Sequence, residues 1–189
     1  MTDPKTDTKT LSGQSVKPVE KVPGLWAFSL ALYARPGVAE ACLALQDRHG
    51  ADVNLLLLGF WRAAKGYAGW ATAELDHAVD AVAPVNAVLG PFRESRRALK
   101  RLLTDEPAAA QLYADAKTLE LRIEQVAQAW LAAVSRVSPA TPRPLPLSRA
   151  DHVEAAAAHL SQYLQVIAPD DPQALQAAAD LLGAALKDD

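Results

Sequence analysis

The run Val53 to Trp61, VNLLLLGFW, is the feature that most limits how this chain can fold. A helix formed there is apolar on most sides, so it has no face to offer to water and must be surrounded by other helices. Gly50 stands where a preceding helix needs a left-handed residue, Asp52 stands where the new helix needs an N-cap, and Gly66 ends it. The sequence therefore predicts a central helix over about residues 53–65, in the middle of a bundle.

The composition favours an all-α fold. Half of the 189 residues are apolar, with much alanine and leucine, and only 6% are aromatic. The net charge of −3 creates no field that would attract nucleic acid or anionic lipid. The single Cys42 fits a reducing compartment. The N-terminus lacks an apolar signal segment, and no run approaches the ~20 residues of a membrane span. We therefore expect a cytoplasmic protein.

Four segments are predicted along the chain. Residues 1–23 lack periodic apolar positions, which predicts a disordered tail. Residues 24–134 read as a compact bundle of five or six helices. Residues 135–149 are rich in proline and predict a semi-extended linker. Residues 150–189 predict a helical hairpin extension that either docks on the bundle or stays solvated.

Prolines suggest where the helices of the bundle end. The apolar run from Leu25 to Ala34 predicts a buried helix, and a second helix is expected over about residues 36–49, with Pro36 in its first turn. Pro84 is expected to end an amphipathic helix, and Pro91 to mark a turn before a basic one.

The longest helix is predicted over residues 106–134. Apolar residues alternate along it in steps of four and three, the spacing of bundle packing, at Leu112, Ala116, Leu119, Ile123, Val126 and Trp130. This seam is expected to face the bundle interior. The tryptophans are also expected to pack in the core, namely Trp26, Trp61, Trp70 and Trp130.

Polar side chains gather between the second and third helices, in the stretch QDRHGADVN. The candidate polar corner consists of Gln46, Asp47, Asp52 and Asn54. A nucleophilic site that pairs Cys42 with His49 is excluded within one helix, because seven positions separate them by ~10.5 Å along its axis. The structural interpretation is that these residues cap helices and satisfy exposed backbone groups. A polar pocket or partner site is the alternative.

Glu74 and His77 form the most chemically suggestive motif. A carboxylate and an imidazole three positions apart on a helix supply ligands in di-iron bundles, but such sites need two motifs and the chain has one. We therefore predict no metal or cofactor, and a solvated acidic face. Other candidate ligands are also expected to face water, namely Glu120, Glu124, His152 and His159.

A one-sided cationic stripe is predicted on the helix after Pro91. Its members are Arg93, Arg96, Arg97, Lys100 and Arg101. Such a stripe suits an acidic protein surface, phosphate, RNA or lipid. Nucleic acid is disfavoured because the chain has no aromatic stacking platform nearby and no overall basicity. The sequence favours plain solvation of the stripe, or its neutralisation within the protein by an acidic face that consists of Glu74, Asp76 and Asp80 or of the C-terminal hairpin.

The segment LWAFSLALYARPGVAEACLALQDRHGADVNLLLLGFW resembles the signature region of an uncharacterised family of small bacterial all-helical proteins. The matching elements are Leu25-Trp26, Phe28-Ser29-Leu30, Tyr33, Pro36-Gly37-Val38, Cys42-Leu43, Leu45-Gln46-Asp47, Gly50, Asp52-Val53-Asn54 and Trp61. The resemblance covers roughly residues 24–132. It implies a bacterial, cytoplasmic, all-helical protein and brings no catalytic residues.

The function expected from these patterns is a protein-interaction or adaptor module. The sequence has no glycine-rich phosphate loop, no Cys-x-x-Cys and no serine nucleophile elbow, which makes an enzyme the less favoured class. The expected partner is a protein with an acidic surface, and the sequence leaves the oligomeric state open. The alternative is a helical-bundle enzyme, or a small-ligand or metal binder, that uses Glu74, His77 and the Gln46–Asn54 region.

Overall fold

The computed structural model describes residues 22–102, 107–137, 140, 142–143 and 147–187. Within these residues the chain forms helices and no strand, which confirms the all-α prediction. The helices are α1 (Leu25–Tyr33), α2 (Val38–His49), α3 (Val53–Ala64), α4 (Thr72–Leu102), α5 (Pro107–Arg136), α6 (Arg149–Ile167) and α7 (Pro172–Ala185). Nearly all of the predicted tail and part of the predicted linker lie outside the described residues. The division into four segments stays a prediction.

The ends of α2 follow from two glycines. Gly37 adopts a left-handed conformation with φ of 84°, so α2 begins at Val38 and not at about residue 36 as expected. Gly50 ends the helix with φ of 70°, as predicted. Asp52 then caps α3, because its carboxylate accepts the backbone N–H of Asn54 at 2.7 Å.

The structure confirms α3 as the central helix. Every residue from 54 to 63 is buried, and α1, α2, α5 and α6 all pack on α3. Gly59 permits the approach of α6, since a Cβ atom built on it would lie only 3.1 Å from the Cβ of His159. The apolar run thus supplies the core around which the other helices are arranged.

The predicted breaks at Pro84 and Pro91 are wrong, because α4 runs from Thr72 to Leu102 through both prolines. A proline inside a helix leaves the carbonyl four residues earlier without its N–H partner. These carbonyls belong to Asp80 and Ala87, which are exposed residues, so water can replace the missing donor. The solvent-facing position of both prolines explains why the helix continues.

Helices α4 and α5 pack together as a long helical hairpin. α4 has 31 residues and α5 has 30, so α5 is not the longest helix as predicted. The reason is that the two prolines do not end α4. None of the side chains described in residues 90–101 and 107–126 is fully buried. We call these two stretches the α4–α5 arm.

The prediction that the seam of residues 112–130 faces the bundle interior is wrong for four of its six residues, whereas Ile123 packs partly buried against the core and Ala116 is half-buried. Leu112, Leu119, Val126 and Trp130 are 55%, 48%, 46% and 45% exposed, so Trp130 is also misassigned to the core. The buried residues of α5 are Ala127, Gln128, Leu131 and Ser135. Ala127 and Leu131 each follow a seam residue by one position, which turns the buried face by about 100° from the seam. The other tryptophans are buried (Trp61, Trp70) or half-buried (Trp26).

The C-terminal hairpin packs on the bundle, with α6 against α3 and α7 against α2. His159 was expected at the surface, and this is wrong, because it is 1% exposed beneath α3. Leu160 and Leu164 join the same core. Among the described residues no single helix is long and apolar enough to cross a membrane. One pair of these helices, α1 and α2, reaches the required length and composition when taken together, but the chain bends by 101° between them.

Candidate functional site

The polar corner ties three helices together through Asp52. One carboxylate oxygen caps α3, and the other accepts a hydrogen bond from Asn86 Nδ2 of α4 at 2.6 Å. The backbone N–H of Asp52 donates to the Tyr163 hydroxyl of α6 at 2.7 Å. Burial raises the pKa of Tyr163, so its hydroxyl stays protonated. This part of the corner has the structural role that the sequence favours.

The remaining corner residues separate into buried and exposed positions. Asn54 is buried, and its Oδ1 accepts a hydrogen bond from Gln128 Nε2 of α5 at 3.1 Å. Gln46 is half-buried, whereas Asp47 is exposed and lies 3.6 Å from Arg97. The structure therefore does not gather all four side chains at one point.

Cys42 and His49 have separate environments. Burial raises the pKa of the Cys42 thiol to about 12, so the thiol stays protonated and packs as a small apolar group. His49 Nδ1 lies 2.9 Å from a carboxylate oxygen of Asp171 and thereby joins α2 to the start of α7.

Two residues of the cationic stripe are paired within the arm. Arg93 donates hydrogen bonds to Glu120 and Glu124, and Arg96 donates to Glu120 and to the Tyr113 hydroxyl. The hydrogen bond to Glu120 raises the pKa of Arg96. The expectation that Glu120 and Glu124 face water is wrong, since both lie half-buried against α4. Internal neutralisation therefore applies to part of the stripe, but the carboxylates come from α5 and not from the acidic faces that were expected.

The outer members of the stripe differ from these two. Arg97, Lys100 and Arg101 are exposed on α4. Within the part of the chain that the structure describes, the ion pair of Arg97 is a long contact with Asp47, whose side chain is itself exposed. A contact between two exposed ions adds little stability, so these cations remain accessible to a partner.

A buried ionic cluster lies beneath α3, centred on Arg62. Arg62 is 1% exposed; its Nη2 donates to Glu74 at 2.8 Å, and its Nε donates to His159 Nε2 at 3.3 Å. The guanidinium lies 4.3 Å and 4.4 Å from the ring centroids of Trp70 and Tyr67. Burial lowers the pKa of Arg62, while Glu74 acts in the opposite direction. This cluster was not predicted from the sequence. The signal for it was Arg62 itself, because a cation within an apolar helix requires a buried carboxylate partner.

His159 takes part in the cluster as a neutral ring. The carbonyl of Ala155 lies 2.7 Å from Nδ1, which therefore carries the proton and leaves Nε2 to accept from Arg62. Burial lowers the pKa of His159 to about 4. The cluster thus combines one cation, one carboxylate and one neutral imidazole.

Glu74 and His77 do not form a site with the polar corner. The expectation of a solvated acidic face is wrong for Glu74, which is buried against Arg62, whereas His77 is exposed. Both line a depression that shares no residue with the cavity lined by Gln46 and Asn54. In the described part of the chain, no group of three or more His, Cys, Asp or Glu side chains is placed to hold a metal ion.

The exposed face of α5 is a surface feature that these contacts leave unexplained. The spacing of four and three continues beyond Trp130 to Val137, the residue that directly follows α5. We define the α5 seam as Leu112, Ala116, Leu119, Ile123, Val126, Trp130, Ala133 and Val137. Ala116 and Ile123 are half-buried and the other six are exposed. Exposed apolar patches of this kind are typical of interaction surfaces.

These features define an all-helical bundle protein with a two-helix arm and an apolar seam on one helix of that arm. A family model described as "Protein of unknown function (DUF2390)" matches residues 24–131, more than half of the chain, and the chain belongs to this family. The match confirms the resemblance to an uncharacterised family, while the bacterial origin stays an expectation. No curated protein and no solved structure matches the chain.

Proposed function

We propose that this chain is a protein-interaction module whose contact surface is the α5 seam. The observation that carries the proposal is the exposure of Leu112, Leu119, Val126 and Trp130, each close to or above half. A helix with apolar residues in steps of four and three packs them between the side chains of a second helix. Covering this seam would remove apolar surface from water, which is the main favourable term in protein association.

The partner that the seam fits is a second copy of this chain, with the two α5 helices antiparallel. A two-fold axis between residues 124 and 125 places Leu119 opposite Trp130 of the second copy. The same axis places Ile123 opposite Val126 and Leu112 opposite Val137. Each apolar residue of the seam therefore meets an apolar residue, and the contact is isologous, as a two-fold axis requires.

Charges beside the seam support this orientation. The exposed residues that flank it on the side away from α4 are Asp115, Arg122, Ala129 and Arg136. In the antiparallel pair, Asp115 lies diagonally across from Arg136 of the second copy, two positions from the residue directly opposite, and this pair occurs twice by symmetry. Arg122 has the same relation to the uncharged Ala129. In a parallel pair, Asp115 would instead approach Glu120 of the second copy, and like charges disfavour that arrangement.

Sedimentation equilibrium of the full chain tests the proposal. We expect a dimer, and we expect Trp130→Glu to raise its dissociation constant by roughly 100-fold or more, because the substitution buries an unpaired carboxylate. Val166→Glu is the matched control, because Val166 is similarly exposed but lies on α6, away from the seam. A wild-type chain that stays monomeric at its highest soluble concentration would refute self-association.

A charge exchange tests the orientation separately. Asp115→Arg should weaken the dimer by placing two arginines diagonally across from each other, and the added change Arg136→Asp should restore it. Circular dichroism of each variant confirms that α5 is intact. If Asp115→Arg alone strengthens association, the helices are parallel and the proposed register is wrong.

A second surface is supported by the exposure of Arg97, Lys100 and Arg101 on α4. We propose that these cations bind an acidic protein segment. Poly-glutamate is a suitable probe, and its binding should weaken steeply with added salt and with Arg97→Glu. Binding that is insensitive to both would rule out this role for the stripe.

A further inference from the structure

A cavity of about 250 Å³ lies at the base of the arm, between α1, α2, α3 and the α4–α5 hairpin. Its apolar wall includes Trp26, Leu30, Leu57 and Leu121. Every residue that lines it falls within 24–131, the segment that matches the family model. The cavity is therefore part of the family unit and does not depend on the C-terminal hairpin.

Two of the residues that line this cavity, Ser29 and Gln128, each carry a buried polar atom without a hydrogen-bond partner among the described residues, namely Oγ and Oε1. Both side chains are 3% exposed. The Gln128 amide is oriented by its bond from Nε2 to Asn54, so Oε1 is left as an acceptor. The Ser29 hydroxyl can both donate and accept. Because buried polar groups are ordinarily hydrogen-bonded, this pair indicates a missing partner.

The charged groups around the cavity are largely neutralised by one another. Arg93 and Arg96 are ion-paired with Glu120 and Glu124, and all four side chains line it. The fifth charged residue of the lining, Arg97, is exposed to solvent, whereas the two unpartnered polar atoms are buried. An ionised ligand seated on those buried atoms would lose its hydration, and the four paired side chains offer it no free counter-charge. The arrangement therefore favours a neutral ligand.

We infer that the cavity binds a small neutral molecule with an apolar body and one hydroxyl or primary amide. The carbonyl of a primary amide accepts from the Ser29 hydroxyl, and its N–H donates to Gln128 Oε1. A hydroxyl group on the ligand makes the same two bonds with one oxygen. The volume suits roughly 8 to 12 non-hydrogen atoms, less than a drug-sized ligand.

Titration of the full chain with phenylacetamide, followed by NMR, tests this inference. We expect saturable shifts of the Trp26 indole N–H and the Gln128 side-chain amide. Two related compounds should bind at least about tenfold more weakly: ethylbenzene, which lacks the polar group, and phenylacetate, which is charged.

The Ser29→Ala variant should weaken phenylacetamide binding by about tenfold, because the ligand carbonyl loses its donor. Ser95→Ala is the matched control, since Ser95 lies on α4 outside the cavity and its hydroxyl donates to the Pro91 carbonyl. Thermal unfolding of both variants verifies that they fold. The inference is overturned if phenylacetamide does not bind saturably, if ethylbenzene binds equally well, or if Ser29→Ala leaves its binding unchanged.

Discussion

Mild acid is predicted to destabilise the bundle through His159. The ring is buried, its Nδ1–H is bonded to the Ala155 carbonyl, and its Nε2 faces the Arg62 guanidinium. A second proton would place two cations together in a buried site. Burial, with a smaller contribution from Arg62, lowers the pKa of His159 from 6.5 to about 4, although the Ala155 carbonyl and Glu74 act in the opposite direction.

The size of the effect follows from proton linkage. The unfolded chain binds a proton at His159 below pH 6.5, whereas the folded chain does not bind it until the pH falls to about 4. Stability is therefore fully present above pH 6.5, falls as the pH is lowered, and levels off near the folded pKa. Between the two pKa values, each pH unit changes the free energy of unfolding by about 1.4 kcal/mol for one proton. Lowering the pH from 7 to 5 crosses about 1.5 units of this range, so the free energy of unfolding falls by about 2 kcal/mol.

Urea unfolding of the wild type and His159→Gln over this pH range measures the effect. Glutamine can still accept a hydrogen bond from Arg62 but does not titrate, so the variant should lose most of the slope. His77→Gln is the control, because His77 is exposed on α4, and this variant should keep the wild-type slope. Equal slopes for wild type and His159→Gln, or an NMR titration that protonates His159 near its ordinary pKa, would refute the argument.

Two further predictions concern the corner and the thiol. Asp52→Ala should lower the free energy of unfolding by about 1–2 kcal/mol, because α3 loses its cap and Asn86 loses its acceptor; urea unfolding measures this, and an unchanged midpoint would contradict it. Cys42 should react with a thiol reagent only as fast as the protein unfolds, because its thiol is buried and its pKa is raised to about 12. Reaction faster than unfolding would show an accessible thiolate.

The features predicted correctly from the sequence depend on one residue and its immediate neighbours. Gly50 ends α2 in the left-handed conformation and Asp52 caps α3, as their positions indicated. The burial of α3 followed in the same way, since a helix without a polar face has only one stable environment. Such local predictions do not require knowledge of which helices become neighbours.

The features that were not predicted depend on which neighbouring helix, or solvent, each side of a helix faces. Pro84 and Pro91 are tolerated because their sides of α4 face water, and the sequence does not show which side that is. The pairing of Glu120 with Arg93 and Arg96 joins residues of α4 and α5 that are far apart in sequence. His159 was expected to face water, yet the four alanines that precede it let α6 approach α3 closely.

The α5 seam shows the limit of periodicity most directly. Steps of four and three predict that a helix packs against another helix, but they do not identify that helix. α3 is already enclosed by α1, α2 and α6, and α5 presents to it only the face that includes Ala127 and Leu131. Six of the eight seam residues therefore point outward, and their spacing describes a contact that they do not make within the described part of a single chain. This is why the same pattern that wrongly predicted the bundle interior now supports an interface between two copies.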